Sequence, residues 1–170
     1  INLIFVTMFG VGYIKIAPGT FASLITCVVY YINFYIIKTD YILLYFIILI
    51  VFCYSFVAIN NIKEHFKSHD PKEIVVDEFF GQLIPLFVVE YFLYYFIDPY
   101  AITESGGILR FEIHFLGEPY TQIFCIIVAF LLFRIFDILK PFPINLIDKK
   151  YKNSFGIIFD DIVAGIFAAV

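Results

Sequence analysis

Acidic pairs interrupt an otherwise apolar chain. Asp77 adjoins Glu78, Asp160 adjoins Asp161, and Asp137 stands three residues after Arg134 and three before Lys140. Carboxylates brought together repel, by roughly 4 kcal/mol at about 4 Å and an effective dielectric near 20. A cluster of them therefore calls for a cation or for protons. Oxygen ligands without histidine or cysteine favour Mg²⁺, or Mn²⁺ in its place, over zinc, and Mg²⁺ is commonly held by one or two carboxylates plus substrate phosphate oxygens. A basic partner for such a phosphate lies in FRIFDILKPFPI, where Arg134, Asp137 and Lys140 recur at i, i+3 and i+6 along one helix edge, before Pro141 and Pro143 end the helix. Arg134 offers a bidentate grip on a phosphoryl group and Lys140 a point charge. Arg134 and Asp137 read with equal weight as a structural ion pair at a helix end. Asp160-Asp161 weighs toward function, because two adjacent carboxylates entering an apolar helix cost a few kcal/mol each near the bilayer centre.

The elements that must position these groups are set by composition. Of 170 residues 62% are hydrophobic, 21% aromatic and only 15% charged, with a mean hydropathy of +0.95. An average soluble domain is about 25% charged, so this apolar excess has no water-facing surface to occupy. Uninterrupted apolar stretches cover 21–37, 41–59, 79–97 and 121–136, and a fifth begins near 157. None is strongly amphipathic, as expected of helices in a bilayer. The sequence predicts an all-α, polytopic membrane protein with four to five spans, one domain over 1–170, and an exposed loop insertion at 98–120. A longer final helix would fit the run cut at Val170. No cleavable signal peptide is expected, since Gly10, Gly12, Lys15 and Pro18 punctuate the first apolar stretch.

Orientation follows from Lys and Arg. Lys15, Lys63, Lys67, Lys72, Arg134, Lys140, Lys149, Lys150 and Lys152 fall on one side, against Lys38 and Arg110 on the other. The first side is expected to be cytoplasmic, and it also carries Asp77, Glu78, Asp137, Asp160 and Asp161. A net charge of −4 argues against nucleic acid. Cys27, Cys53 and Cys125 sit in apolar runs without CxxC spacing and read as structural thiols.

In GVGYIKIAPGTFASL, Thr20 is positioned to cap a helix beginning at Phe21, and Ala17 to Thr20 form a weak phosphate-cradle candidate; an ordinary capped turn is favoured. GVG is not a dinucleotide fingerprint, since no strand precedes it. His65 and His69, beside Asp70, read as solvated loop residues. Cys-x5-Arg and DxD nucleophile patterns are both absent, so no covalent intermediate is required. The rival reading is a non-catalytic cation transporter using the same acids. Transport normally places ionisable groups near the midplane, and only Glu90 does so here.

Four blocks in order, IAPGTFASL at 16–24, HDPKEIVVDEFFG at 69–81, FRIFDILKPFPI at 133–144 and GIIFDDIVAG at 156–165, strongly resemble the phosphatidylglycerophosphatase A family. The resemblance runs from about residue 10 to the end and leaves the 98–120 loop unmatched. It implies a Mg²⁺-dependent membrane enzyme that hydrolyses phosphatidylglycerophosphate to phosphatidylglycerol and phosphate, in the bacterial inner membrane, with its site facing the cytoplasm and its phospholipid substrate in the bilayer. The family's acidic positions fall on Asp77, Glu78, Asp137, Asp160 and Asp161, its basic ones on Arg134 and Lys140, and a secondary role on Asp70. Asn153-Ser154 and Ala22 stand where relatives often have glycine.

Overall fold

At 1.5 Å per residue, about 20 apolar residues cross a hydrocarbon core of about 30 Å. Three helices of the computed structural model meet that requirement, at Pro18–Ile37, Tyr41–Ile62 and Tyr120–Leu139. The structure describes residues 1–62, 71–92, 120–151 and 153–170, and at Glu90 and Phe92 the backbone alone. The described residues form α1 (Asn2–Val6), α2 (Pro18–Tyr31, continued by a π-helical segment Ile32–Ile37), α3 (Tyr41–Ile62), α4 (Val76–Phe92), α5 (Tyr120–Leu139), α6 (Ile144–Lys150) and α7 (Ser154–Ala169), with no strand among them. The described residues make up an all-helical membrane protein.

The three long helices face outward. On α3, Ile42, Phe46 and Ile50 recur every fourth residue and are 68%, 61% and 66% exposed. Such a stripe is stable against lipid and costly against water. The short helices α4 and α7 do the opposite: they form the most extensive helix pair in the fold, and their outer neighbours shield them. Leu83 and Leu86 of α4 pack with Cys27 and Tyr30 of α2 and with Ile126 and Ala129 of α5. Val76 and Phe80 pack with Ala58, Ile59 and Ile62 of α3 and with Ile157 and Ile158 of α7.

Close approach of α4 and α7 has a local cause. Pro85 lies inside α4 and, lacking an N–H, cannot bond the carbonyl one turn back, at Gly81. That carbonyl lies against Gly165 of α7, where a Cβ would collide with it, and a Cβ on Gly81 would meet the Phe133 ring and the Asp161 carbonyl oxygen. Two glycines thus let two backbones touch, as small residues do between membrane helices.

Two expectations shift. The helix expected from Phe21 starts at Pro18, with Ala17 as its N-cap in the left-handed region at φ 49°, so Thr20 lies inside the first turn and is no cap. Proline at the first helical position is pre-organised for it. The edge expected to carry Arg134, Asp137 and Lys140 together also ends early. α5 stops at Leu139, and Lys140, at φ 42°, turns out of the helix ahead of Pro141. The 98–119 part of the expected loop, together with Asp70, His65 and His69, lies outside the described residues, as does the Glu90 side chain.

Candidate active site

Helices α2, α4 and α7 begin, and α5 ends, around one cavity of about 620 Å³. The partial positive charge of helix N-termini favours anionic groups at such a convergence. Asp77, Glu78, Asp137, Asp160 and Asp161 all line the cavity, as do Arg134, Lys140 and Thr20. The candidate residues that the structure describes therefore share one site, although they come from four separate segments.

Within it the acids divide. Asp77, Glu78 and Asp161 each offer an oxygen, and these atoms lie within 4.8 Å of one another. Asp77 and Asp161 are buried, and Glu78 Oε2 is a buried atom without a hydrogen-bond partner. Burial pushes the Glu78 carboxyl up to about 7; a hydrogen bond with Asp77 and the charge of Arg134 pull it down, while Asp137 pushes it up. Glu78 reaches this position because Gly19 of α2 lies against its Oε1, leaving no room for a Cβ. A compact carboxylate triad with a buried, unsatisfied oxygen and no soft ligand fits a hard divalent cation of the Mg²⁺ or Mn²⁺ type.

The remaining acids hold the cations. Asp137 Oδ2 accepts from Arg134 Nη1 at 2.6 Å, and the same Nη1 lies 3.4 Å from Ser23 Oγ on α2. Arg134 Nε is buried without a partner. Asp160 Oδ2 accepts from Lys140 Nζ at 2.6 Å, and Asp148 Oδ1 from the same ammonium at 3.1 Å. Burial alone would lower Lys140, but hydrogen bonds to and charges on Asp160 and Asp148 outweigh it and hold the ammonium protonated beyond its ordinary range. The cavity is thus a carboxylate triad flanked by two tethered cations.

Sequence reasoning missed Asp148 and Ser23. Asp148 becomes a partner of Lys140 only because the turn at 141–143 folds α6 back beneath α7, a tertiary event with no local signature. Asn153, one of the two residues standing where glycines were expected, has extended backbone at φ −122° and caps α7 by accepting from Gly156 N–H at 3.0 Å. A side-chain cap is what Ser, Thr, Asn and Asp supply at this position and glycine cannot.

Residues 4–170 match the family model described as phosphatidylglycerophosphatase A. The chain belongs to the phosphatidylglycerophosphatase A family. It is 31% identical to phosphatidylglycerophosphatase A of Haemophilus influenzae, covering 95% of this chain and 80% of that one. It is 27% identical to phosphatidylglycerophosphatase A of Escherichia coli, covering 95% and 75%. A third relative, at 28% identity over 96% of this chain and 86% of its own length, is named a putative phosphatidylinositol-3-phosphatase of Bacteroides thetaiotaomicron. No solved structure matches the chain. As a member of the phosphatidylglycerophosphatase A family the protein is an enzyme of the phosphatase class.

Proposed function

We propose that the protein is a Mg²⁺-dependent lipid phosphatase that hydrolyses phosphatidylglycerophosphate to phosphatidylglycerol and phosphate, in glycerophospholipid synthesis. The observation that carries this reading is the placement of an all-carboxylate triad, Asp77, Glu78 and Asp161, beside Arg134 and Lys140 in one cavity at the end of membrane helices. Asp77, Glu78 and Asp161 would hold the metal, which when bound neutralises phosphate charge and lowers the pKa of a coordinated water. Asp137 and Asp160 serve one step further out, by fixing the cations.

In the reaction, Arg134 takes a terminal phosphate oxygen on its remaining N–H groups, while Asp137 and Ser23 hold its guanidinium plane. Lys140 stays charged and adds a second positive centre. Water attacks phosphorus, the P–O bond to the glycerol carbon's oxygen breaks, and that oxygen leaves with a proton. Asp161 and Glu78 are the carboxylates able to orient the water. Stabilising charge at the transferring phosphoryl group, rather than covalent catalysis, supplies the rate. We place the enzyme in the bacterial inner membrane with four to five spans, the apolar runs that begin at Phe79 in α4 and near residue 157 in α7 counted beside the three long helices, and its cavity on the cytoplasmic face where basic residues concentrate. No observation among the described residues favours the cation-transporter alternative, since the carboxylates gather at one end of the helices rather than midway.

The test is phosphate release in detergent micelles with Mg²⁺ or with chelator, for the wild type and Asp161→Asn. Phosphatidylinositol 3-phosphate is run in parallel, since one relative is named for it. Mg²⁺-dependent release from phosphatidylglycerophosphate, lost in the variant, is expected. A folded, Mg²⁺-supplied wild type that releases nothing, but passes cations in liposomes, would overturn the assignment.

A further inference from the structure

The long helix α3 lies closest to α1, with a smaller seam on α7; it reaches α2 and α4 through side chains, among them the ring pairs Tyr41–Phe34, Tyr45–Phe87 and Phe52–Phe80, which leave a gap between the backbones. The gap is divided into two apolar grooves of about 280 Å³ each. One runs between α2, α3 and α4, the other between α3, α4 and Ile162 of α7. They share a wall made by Ile48, Leu83 and Phe87.

The geometry points to a two-chain acyl site: the grooves take the two fatty-acyl chains of the lipid whose phosphate occupies the polar cavity. This rests on the lipid phosphatase reading, and four observations carry it. The grooves ask for no polar ligand, because in the first of them Thr26 Oγ1 already bonds the Ala22 carbonyl at 2.8 Å, Tyr30 OH the Leu86 carbonyl at 3.0 Å and Asn33 Nδ2 the Val29 carbonyl at 2.8 Å. They are continuous with the lipid-facing surface, since Val29 and Ile47 line the first and Tyr45 and Leu49 the second, all exposed. They begin where the polar site stops, as Phe79 and Phe80 follow Glu78 directly and the walls run to Phe87, roughly 12 Å along α4. On α2, Thr26 lies six residues beyond Thr20, roughly 9 Å deeper, which leaves room for the polar headgroup between phosphate site and groove. Two equal grooves meeting at one wall match a diacyl lipid.

Seating the tails fixes the headgroup's depth and so turns binding of a remote part of the substrate into orientation at phosphorus. Long-chain substrates should then be turned over more efficiently than short-chain ones, through these walls. Kinetics on dioleoyl and dihexanoyl phosphatidylglycerophosphate in mixed micelles test this, with Ile48→Trp in the shared wall, Val29→Trp and Leu49→Trp at the two exposed mouths, and Leu131→Trp on the outer face of α5 as control. Ile48→Trp should lower kcat/KM for the dioleoyl substrate at least tenfold and leave the dihexanoyl value within twofold; each mouth variant should do so more weakly, and the control not at all. Equal loss on both substrates, or no loss on either, would overturn the acyl site. A second measurement does not depend on turnover. A dioleoyl-type phosphatidylglycerophosphate carrying a photoreactive group in its acyl chain should label residues 44–52 and 79–87, displaceably by unlabelled dioleoyl substrate. Uniform labelling of all lipid-facing helices would show annular lipid only and overturn the proposal. If the wild type releases no phosphate while groove labelling is retained, it is the activity assignment that fails.

Discussion

Helices α7 and α3 solve opposite problems with the same kinds of residue around them. α7 carries two adjacent carboxylates, both buried, and backs onto α4 through glycines so close that no Cβ fits. α3 has no charge from Tyr41 to Ile62, shows most of its surface outward, and buries only Ser55, Ala58, Ile59 and Ile62 against its neighbours. In a bilayer the exposed helix is the inexpensive one, because lipid is as apolar as its side chains. Close packing and buried charge are therefore concentrated in the shielded pair, and substitutions there should act far more strongly than in α3.

The widest difference is expected in activity. Asp161→Asn should reduce phosphate release by at least about 10²-fold, since on the proposed reading it removes one of three metal ligands and the other two cannot replace it. Stability should move the other way. Without metal the triad must either take up protons or carry like charges that repel by roughly 4 kcal/mol per close pair at an effective dielectric near 20, and a neutral Asn needs neither, so in chelator the variant should melt above the wild type. Mg²⁺ should raise the wild-type Tm and leave the variant's unchanged. A variant destabilised in chelator and still stabilised by Mg²⁺ would show that the triad is not the metal site.

Next comes the backbone contact. Gly165→Leu drives a side chain into the Gly81 carbonyl and should cost about 1–3 kcal/mol of stability through overpacking, with activity falling because Asp161 is carried away from Asp77 and Glu78. A thermal melt with Mg²⁺ titration separates the two effects. If Gly165→Leu melts like the wild type, α4 and α7 are not in close contact.

A pH titration gives an effect of about tenfold per unit. Burial first, and then Asp137, raise Glu78 from its ordinary 4.5 to about 7, against the pull of Asp77 and Arg134. In the metal-free protein Glu78 therefore keeps its proton up to about pH 7. Its contribution to stability is fully present below 4.5 and is lost as pH rises through about 7. Metal must displace that proton, so Mn²⁺ affinity, followed by electron paramagnetic resonance, should fall roughly tenfold per unit below pH 7 and level off above it. Glu78→Gln should flatten this slope. A slope unchanged in Glu78→Gln would place the displaced proton elsewhere.

These effects also mark what the chain discloses by itself. Acids at the edges of apolar runs are legible because burying them is costly, and Asp77, Glu78, Asp137, Asp160 and Asp161 do reach one cavity. Which of them meet is not legible. Adjacent residues on a helix point about 100° apart, so of Asp160 and Asp161 only one can face α4. The other turns to Lys140 because α6 brings Asp148 there. The three longest apolar runs are legible as helices long enough to cross a membrane. The inner position of α4 and α7 depends on Gly81 and Gly165 meeting across more than 80 residues, which periodicity within either helix cannot express.

The smallest expected effect completes the contrast. Ile50→Ala removes a large side chain from a position that is 66% exposed on the outer face of α3. In the core of a water-soluble protein, an Ile→Ala change costs about 2–5 kcal/mol. Here the lost contacts are with lipid, which refills the space, so the melt should shift by less than about 0.5 kcal/mol and activity should hold within twofold. The same change at Ile59, fully buried between α3 and its neighbours, should restore the ordinary core penalty within a single helix. If Ile50→Ala instead costs as much as Ile59→Ala, then α3 presents its outer face to protein rather than to lipid, and the lipid-facing role assigned to it would have to be given up.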